Sequence, residues 1–209
     1  MRDIYEMAPH VLPWAATCPE PTMIQYLREA AITFCMRSRS WRSEETFLLV
    51  SLDTDVSLVT CCDSVIYEIE SVRYRGDPQN QWSEKLEPTT WEEAQDMVLD
   101  SESQPYYYTQ RIANTLRVVP YGAGEARVSM YLKPDQMAQT LPDYLFELHP
   151  QIIAAGALAK ILLLPGYDFA EPNLAMMYAQ QFEDACNQHF RDNKRGQQRA
   201  RTRTTPNYF

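Results

Sequence analysis

The sequence predicts an α+β fold: an N-terminal helix and a long C-terminal helical hairpin, with a small antiparallel β module inserted between them. Three observations predict it. Apolar residues recur at helical spacing through most of Leu141 to Arg195. A shorter stretch after Pro21 has the same period. Between the two, the period falls towards two and turn residues punctuate the chain.

Residues 1–21 hold Pro9, Pro13, Pro19 and Pro21 and read as an irregular arm lying on something else, with Trp14 as its anchor. A helix follows from Pro21. Thr22 with Gln25 fits a capping box, and Ile24, Leu27, Ala31, Phe34 and Cys35 form one stripe. It ends between Ser38 and Trp41. Phe47 to Leu52 is apolar at nearly every position, as in a largely buried strand. Val65 to Tyr74 alternates more cleanly, and Gly76-Asp77-Pro78 turns the chain. Thr90 and Glu93 mark a second capping box, opening a short helix to about Leu99. Strands are expected at Tyr106–Thr109, Thr115–Val119 and Ala126–Leu132, with a turn at Pro120–Gly124.

The hairpin opens at Leu141-Pro142-Asp143. Pro150 falls inside its first helix and should kink it. Gly156, set among alanines, implies the close approach of another backbone. The helix stops at Leu164-Pro165-Gly166, and Pro172 opens the second helix. Leu174, Tyr178, Phe182, Ala185 and His189 share one face there. Asn173, Gln180, Glu183, Asp184 and Asn187 make the polar face. The domain layout is thus an arm at 1–21, helical parts at 22–44 and 135–195, a β insertion at 45–134 and a tail at 196–209.

Composition excludes several classes. An apolar content of 45% supplies a packed core, but no apolar run reaches the ~18 residues that span a bilayer. The N-terminus lacks the apolar segment of a secretory signal, so synthesis in a cytoplasm is expected. Five cysteines (Cys18, Cys35, Cys61, Cys62 and Cys186) form no CxxC pair and read as reduced, mostly buried thiols. Cys186 and His189 stand three apart on a helix, too little for a zinc site, so no metal and no cofactor are expected.

Catalytic patterns are missing as well. There is no glycine-rich phosphate loop, no GxSxG, no HExxH and no DxDxDG calcium loop. Glu44-Glu45 and Glu92-Glu93 are adjacent pairs that do not face each other on a helix. Asp53 and Asp55 flank a turn. Tyr106-Tyr107-Tyr108 has two readings, base stacking or sheet core. Alternation would expose Tyr107 and bury its neighbours. His149 before Pro150 fits helix packing better than catalysis.

The charge is uneven. Net charge is −9, yet six basic residues and one acid between Arg191 and Phe209 give that end +5, leaving −14 on the first 190 residues. The basic tail has three readings: phosphate binding, an idle solvated end, or docking into an acidic groove. Ordering it costs roughly 1–2 kcal/mol of backbone entropy per residue, and surface charge pairs contribute too little to offset that. Docking is therefore favoured, with Arg199, Arg201 and Arg203 for charge and Tyr208 and Phe209 as buried anchors. The rival is a nucleic-acid-binding module that uses the same tail and Tyr107.

Several ordered stretches resemble a known family. They are Pro13, Cys18-Pro19-Glu20-Pro21, Phe34-Cys35 and Ser40-Trp41-Arg42; then Pro105 to Tyr108 with Leu116 to Pro120; then Leu141-Pro142-Asp143 with Ile153 to Ala159; then Pro165-Gly166 and Pro172-Asn173 with Phe182. No single motif is specific, but the ordered set resembles the head-to-tail adaptor (connector) proteins of tailed bacteriophages, of the tail tubular protein A and tail accessory factor types. The resemblance implies a helical bundle with an inserted β domain and a structural virion protein, not an enzyme. It also implies a homo-oligomeric ring, a dodecamer in relatives, at the head-tail junction. That ring would join the portal protein to a tail nozzle or tail tube protein. Arg199, Arg201, Arg203, Tyr208 and Phe209 would form the portal-docking tail. DNA would pass through the channel at ejection without specific binding, repelled by an acidic wall.

Overall fold

The computed structural model describes residues 1–49, 55–58, 60, 63–97 and 104–195. In chain order the elements are β1 (Arg2–Asp3), a 3-10 helix (Ile4–His10), α1 (Glu20–Ser38), β2 (Arg42–Leu49), β3 (Val56–Ser57), β4 (Ser64–Arg75), β5 (Glu87–Pro88), α2 (Trp91–Asp96), β6 (Tyr107–Thr109), β7 (Thr115–Val119), β8 (Gly124–Pro134), β9 (Thr140–Leu141), α3 (Asp143–Leu148), α4 (Pro150–Ile161) and α5 (Pro172–Arg195). They fall into two compact units, Met1–Trp41 with Lys133–Phe209, and Arg42–Leu132.

The expected helical bundle built on a long hairpin is not formed. With about 40% helix and 27% strand in three sheets, the chain is mixed α+β. The first arm of the supposed hairpin is two helices, α3 and α4, broken at His149. Pro150 starts α4 as its first residue instead of kinking a continuous helix. A residue before proline is pushed out of the helical region, and His149 sits at φ −132°, ψ 19°.

In the first unit, α1, α4 and α5 pack on one another and the 3-10 helix covers α1 and α4. Helix α1 starts at Glu20, ahead of the expected Thr22 cap. Pro19 is its N-cap and makes no side-chain hydrogen bond, and Pro21 lies in the first turn. It ends where Arg39 turns left-handed at φ 51° and donates its N–H to the Cys35 carbonyl at 3.0 Å. Its inner face buries Met23, Leu27, Ala30, Ala31, Phe34 and Cys35. Leu27 and Phe34 are fully enclosed, each stabilising the unit by roughly 1.5–3 kcal/mol. The N-terminal residues are built into this core. β1 pairs with β9, Arg2 opposite Leu141, while Ile4, Met7, Val11 and Ala15 are buried.

Gly156 of α4 explains the close packing, though the neighbours are side chains and not a backbone. A Cβ there would lie 2.7 Å from Cε2 of Phe182 on α5 and 3.0 Å from Cβ of Ala30 on α1. Arg37 of α1 pairs with Glu183 of α5, and Lys160 of α4 with Glu29 of α1 at 2.8 Å.

The second unit has a three-stranded sheet in the order β2-β8-β4 and a four-stranded sheet in the order β3-β7-β6-β5. The insertion is not purely antiparallel, because β5 runs parallel to β6, Glu87 opposite Tyr107. Ala126, Val128, Met130 and Leu132 alternate along β8 and are essentially inaccessible, so one face of its sheet is core. The intervening Arg127 and Ser129 therefore lie on the other face. β2 is not the largely buried strand expected from its apolar run, since Leu48 is 64% exposed. Val50 to Leu52 lie outside the described residues. The Thr90 capping box forms as expected: Thr90 Oγ1 accepts from the Glu93 N–H at 3.3 Å, and the Glu93 carboxylate accepts from the Thr90 N–H at 3.4 Å.

Candidate interaction surfaces

The side chains that sequence reasoning scanned for chemistry are committed to structure. Glu44 accepts from Ser129 Oγ at 3.0 Å, Glu93 caps α2, and Asp55 accepts from Arg117 Nε at 2.8 Å. Asp53, Cys61 and Cys62 lie outside the described residues. In the tyrosine run the alternation is offset from expectation. Tyr106 is 63% exposed, Tyr107 is half-buried and Tyr108 is buried.

The densest group of titratable side chains is in the first unit, between α1, α3, α4 and α5. The His149 ring lies 4.6 Å from that of His189 and 4.9 Å from that of Phe34, centroid to centroid. Nδ1 of His149 is buried without a hydrogen-bond partner. Burial, and then the neighbouring His189, pushes its pKa down to about 4, so the ring is neutral at physiological pH. Burial pushes the Cys35 thiol up to about 12 and the Cys186 thiol up to about 11. A nucleophilic cysteine needs the opposite shift, so neither supplies a thiolate near neutrality. Burial also raises Tyr144. Among the described residues, no three His, Cys, Asp or Glu side chains are placed to hold a metal ion. This cluster is packing.

Binding capacity lies on the surface instead. On α5 the buried positions are Ala175, Phe182 and Cys186, which leaves the opposite side to Met176 and Met177, 64% and 68% exposed. Beside them Tyr178 meets Trp14 edge-to-face at 6.0 Å, and Trp14 is itself 51% exposed. Trp14, expected to anchor the N-terminal residues, touches α5 but stays half exposed, and the residues buried from that segment are Ile4, Met7, Val11 and Ala15. Exposed methionines and an exposed aromatic are residue types enriched in protein–protein contacts.

In the second unit the outer face of the β2-β8-β4 sheet carries alternating charge. Arg42 pairs with Glu70 at 2.7 Å, Arg127 with Glu44 at 3.7 Å, and Arg75 Nε donates to Glu125 at 2.7 Å. Trp82 packs against two of these cations, with the guanidinium carbons of Arg75 and Arg127 at 4.3 and 4.2 Å from its ring centroid. Sequence reasoning missed this face. Its signal was the two-residue spacing of Arg73 and Arg75 along a strand, set against Arg127 on another.

The tail residues named from sequence, Arg199, Arg201, Arg203, Tyr208 and Phe209, lie outside the described residues. The described chain ends at Arg195, the last residue of α5.

Two compact units, a neutral His149, protonated buried thiols, and surfaces of exposed methionine and paired charge are the features of a protein that works by contact. Family comparison gives that class its place: a family model described as SU10 adaptor protein matches residues 3–207. The chain belongs to this phage head-tail adaptor family, so it is a structural virion protein of a class that is not enzymatic and that associates with other virion components. The narrower likeness to tail tubular protein A is not supported. Comparison with curated proteins gave no match. Among the described residues, no helix is long and apolar enough to cross a membrane.

Proposed function

We propose that this adaptor forms a homo-oligomeric ring, a dodecamer, that joins the portal protein to a tail nozzle or tail tube protein and lines the DNA channel. The observation that carries this is the family match over nearly the whole chain. Three features support it. Met176, Met177 and Trp14 are exposed apolar side chains of the first unit available for contact. The net −14 of the first 190 residues suits a channel wall that repels DNA phosphates. The basic end, continuing from α5, suits a docking arm in which Arg199, Arg201 and Arg203 meet acidic groups while Tyr208 and Phe209 fill pockets on the portal. Under this proposal 22–44 and 135–195 are the assembling body, with residues 1–21 packed into it and not a free arm, 45–134 an insertion and 196–209 the docking tail.

The test is co-sedimentation of the full-length protein with its phage's portal ring, beside a version ending at Gly196. Saturable binding at a fixed ratio, lost on truncation, is expected. Binding that survives truncation removes the docking role of Arg199 to Phe209 and keeps the adaptor. Absence of binding by both forms to an intact portal refutes portal joining. Strong DNA binding at low salt would then favour a nucleic-acid module built on the same tail.

A further inference from the structure

Arg73 on β4 and Lys85 face each other in an isolated antiparallel bridge, extended by the Leu86 N–H to the Val72 carbonyl at 2.8 Å. Directly opposed cross-strand side chains stand about 4.5–5.5 Å apart at Cβ, and like charges there are destabilising. Both side chains are exposed, and among the described residues neither has an ion-pair or hydrogen-bond partner. Beside them is a recess of about 180 Å³ that Arg42, Arg127, Ser71 and Ser129 also line, together with Glu44, whose carboxylate is already matched by Arg127 and the Ser129 hydroxyl. We propose that this recess is a docking site for a surface carboxylate of a second copy of the chain, held between Arg73 and Lys85.

Charge selects the occupant. The chain carries 28 Asp and Glu against 19 Lys and Arg, so a second copy is itself a source of the complementary group. A duplex is disfavoured. The flanking cations Arg42, Arg127 and Arg75 are already paired with Glu70, Glu44 and Glu125, which leaves two unpaired cations, enough for one anionic group but not for a run of phosphates. Two uncommitted cations can share one carboxylate through charge-assisted hydrogen bonds. The site sits within the second unit, so it gives the β insertion a part in assembly. It rests on the ring proposed above.

The experiment loads the full-length protein onto its portal ring at increasing concentration, at about 0.05 and 0.5 M salt. The wild type is compared with Arg73→Glu/Lys85→Glu and with Arg73→Gln/Lys85→Gln. The Gln pair relieves the like-charge repulsion and guards against a folding artefact. Expected is at least a ten-fold rise in the concentration for half-loading with the Glu pair, a smaller rise with the Gln pair, and wild-type loading weakened by salt. Zero-length carbodiimide coupling in the loaded wild type should join Lys85 to a carboxylate of another copy. Equal loading by all three proteins overturns the docking site and leaves the ring. Failure of the wild type to load overturns both. Low-salt duplex binding that the Glu pair abolishes, with loading unchanged, reassigns the recess to nucleic acid and also overturns the proposal.

Discussion

Replacing Gly156 by alanine should destabilise the first unit, against the usual effect of that change in a helix. Removing an interior glycine gains about 1 kcal/mol of helix propensity. The new methyl, however, would sit 2.7 and 2.8 Å from two ring carbons of Phe182 and 3.0 Å from Cβ of Ala30. Favourable carbon contacts lie near 3.5–4.0 Å. Phe182 is 8% exposed and Ala30 2%, so neither has free space to retreat into. Overpacking of a filled core costs roughly 1–3 kcal/mol. The balance is a net loss of about 1 kcal/mol for Gly156→Ala, and a larger one for the bulkier Gly156→Val. Because the chain has two compact units, one global transition is not assumed. Urea unfolding is best followed by the fluorescence of Trp14 and Trp41, both in the first unit, in a Trp82→Phe/Trp91→Phe background. Adding Phe182→Leu should recover part of the alanine cost, with a coupling of at least about 0.5 kcal/mol. A Gly156→Ala protein with a higher midpoint than wild type, or no coupling to position 182, would refute the contact as the reason for the glycine.

Three further outcomes are expected. His149 titrates near 6.5 when unfolded and at about 4 when folded. The unfolded chain therefore binds more protons between those values, and stability is full above pH 6.5 and falls as pH drops towards 4. About 2–3 kcal/mol is at stake, and urea titrations at pH 7.5, 6 and 5 should show a slope that His149→Phe flattens. Cys18, Cys35 and Cys186 are buried. Peptide mapping after native treatment with a thiol reagent should find those three labelled only once urea is present. Thr90→Ala removes the capping box of α2 and should cost about 1 kcal/mol locally, read as faster amide exchange at Glu93 and Ala94.

What was legible in the sequence was local or strongly periodic. Pro172 opens α5, and the Thr90–Glu93 pair caps α2, because each signal needs only a few adjacent residues. The same kind of signal misled at Thr22 and Gln25. Pro19 and Pro21 already set the backbone of the first turn, so α1 begins before that cap. Periodicity also runs straight through His149, where only the steric demand of Pro150 breaks the helix. The apolar run at Leu48 looked buried because spacing does not say which side of a sheet meets solvent. A two-residue strand such as β5, ending at Pro88, has no period to detect, so its parallel pairing was invisible. The opposition of Arg73 and Lys85 is set by strand register, which spacing within one strand does not contain.

The first compact unit is discontinuous: Met1–Trp41 closes only with residues beyond Leu132. On the ribosome its earliest segment is also its last to be satisfied. Leu27 and Phe34 are translated early, but Gly156 and Phe182 arrive more than a hundred residues later. At roughly 5–20 residues per second, that wait is on the order of ten seconds or more. The inserted unit, contiguous in sequence, can complete itself in the interval. Nascent chains thus hold the apolar face of α1 without its partners for many seconds, a window in which aggregation competes with folding.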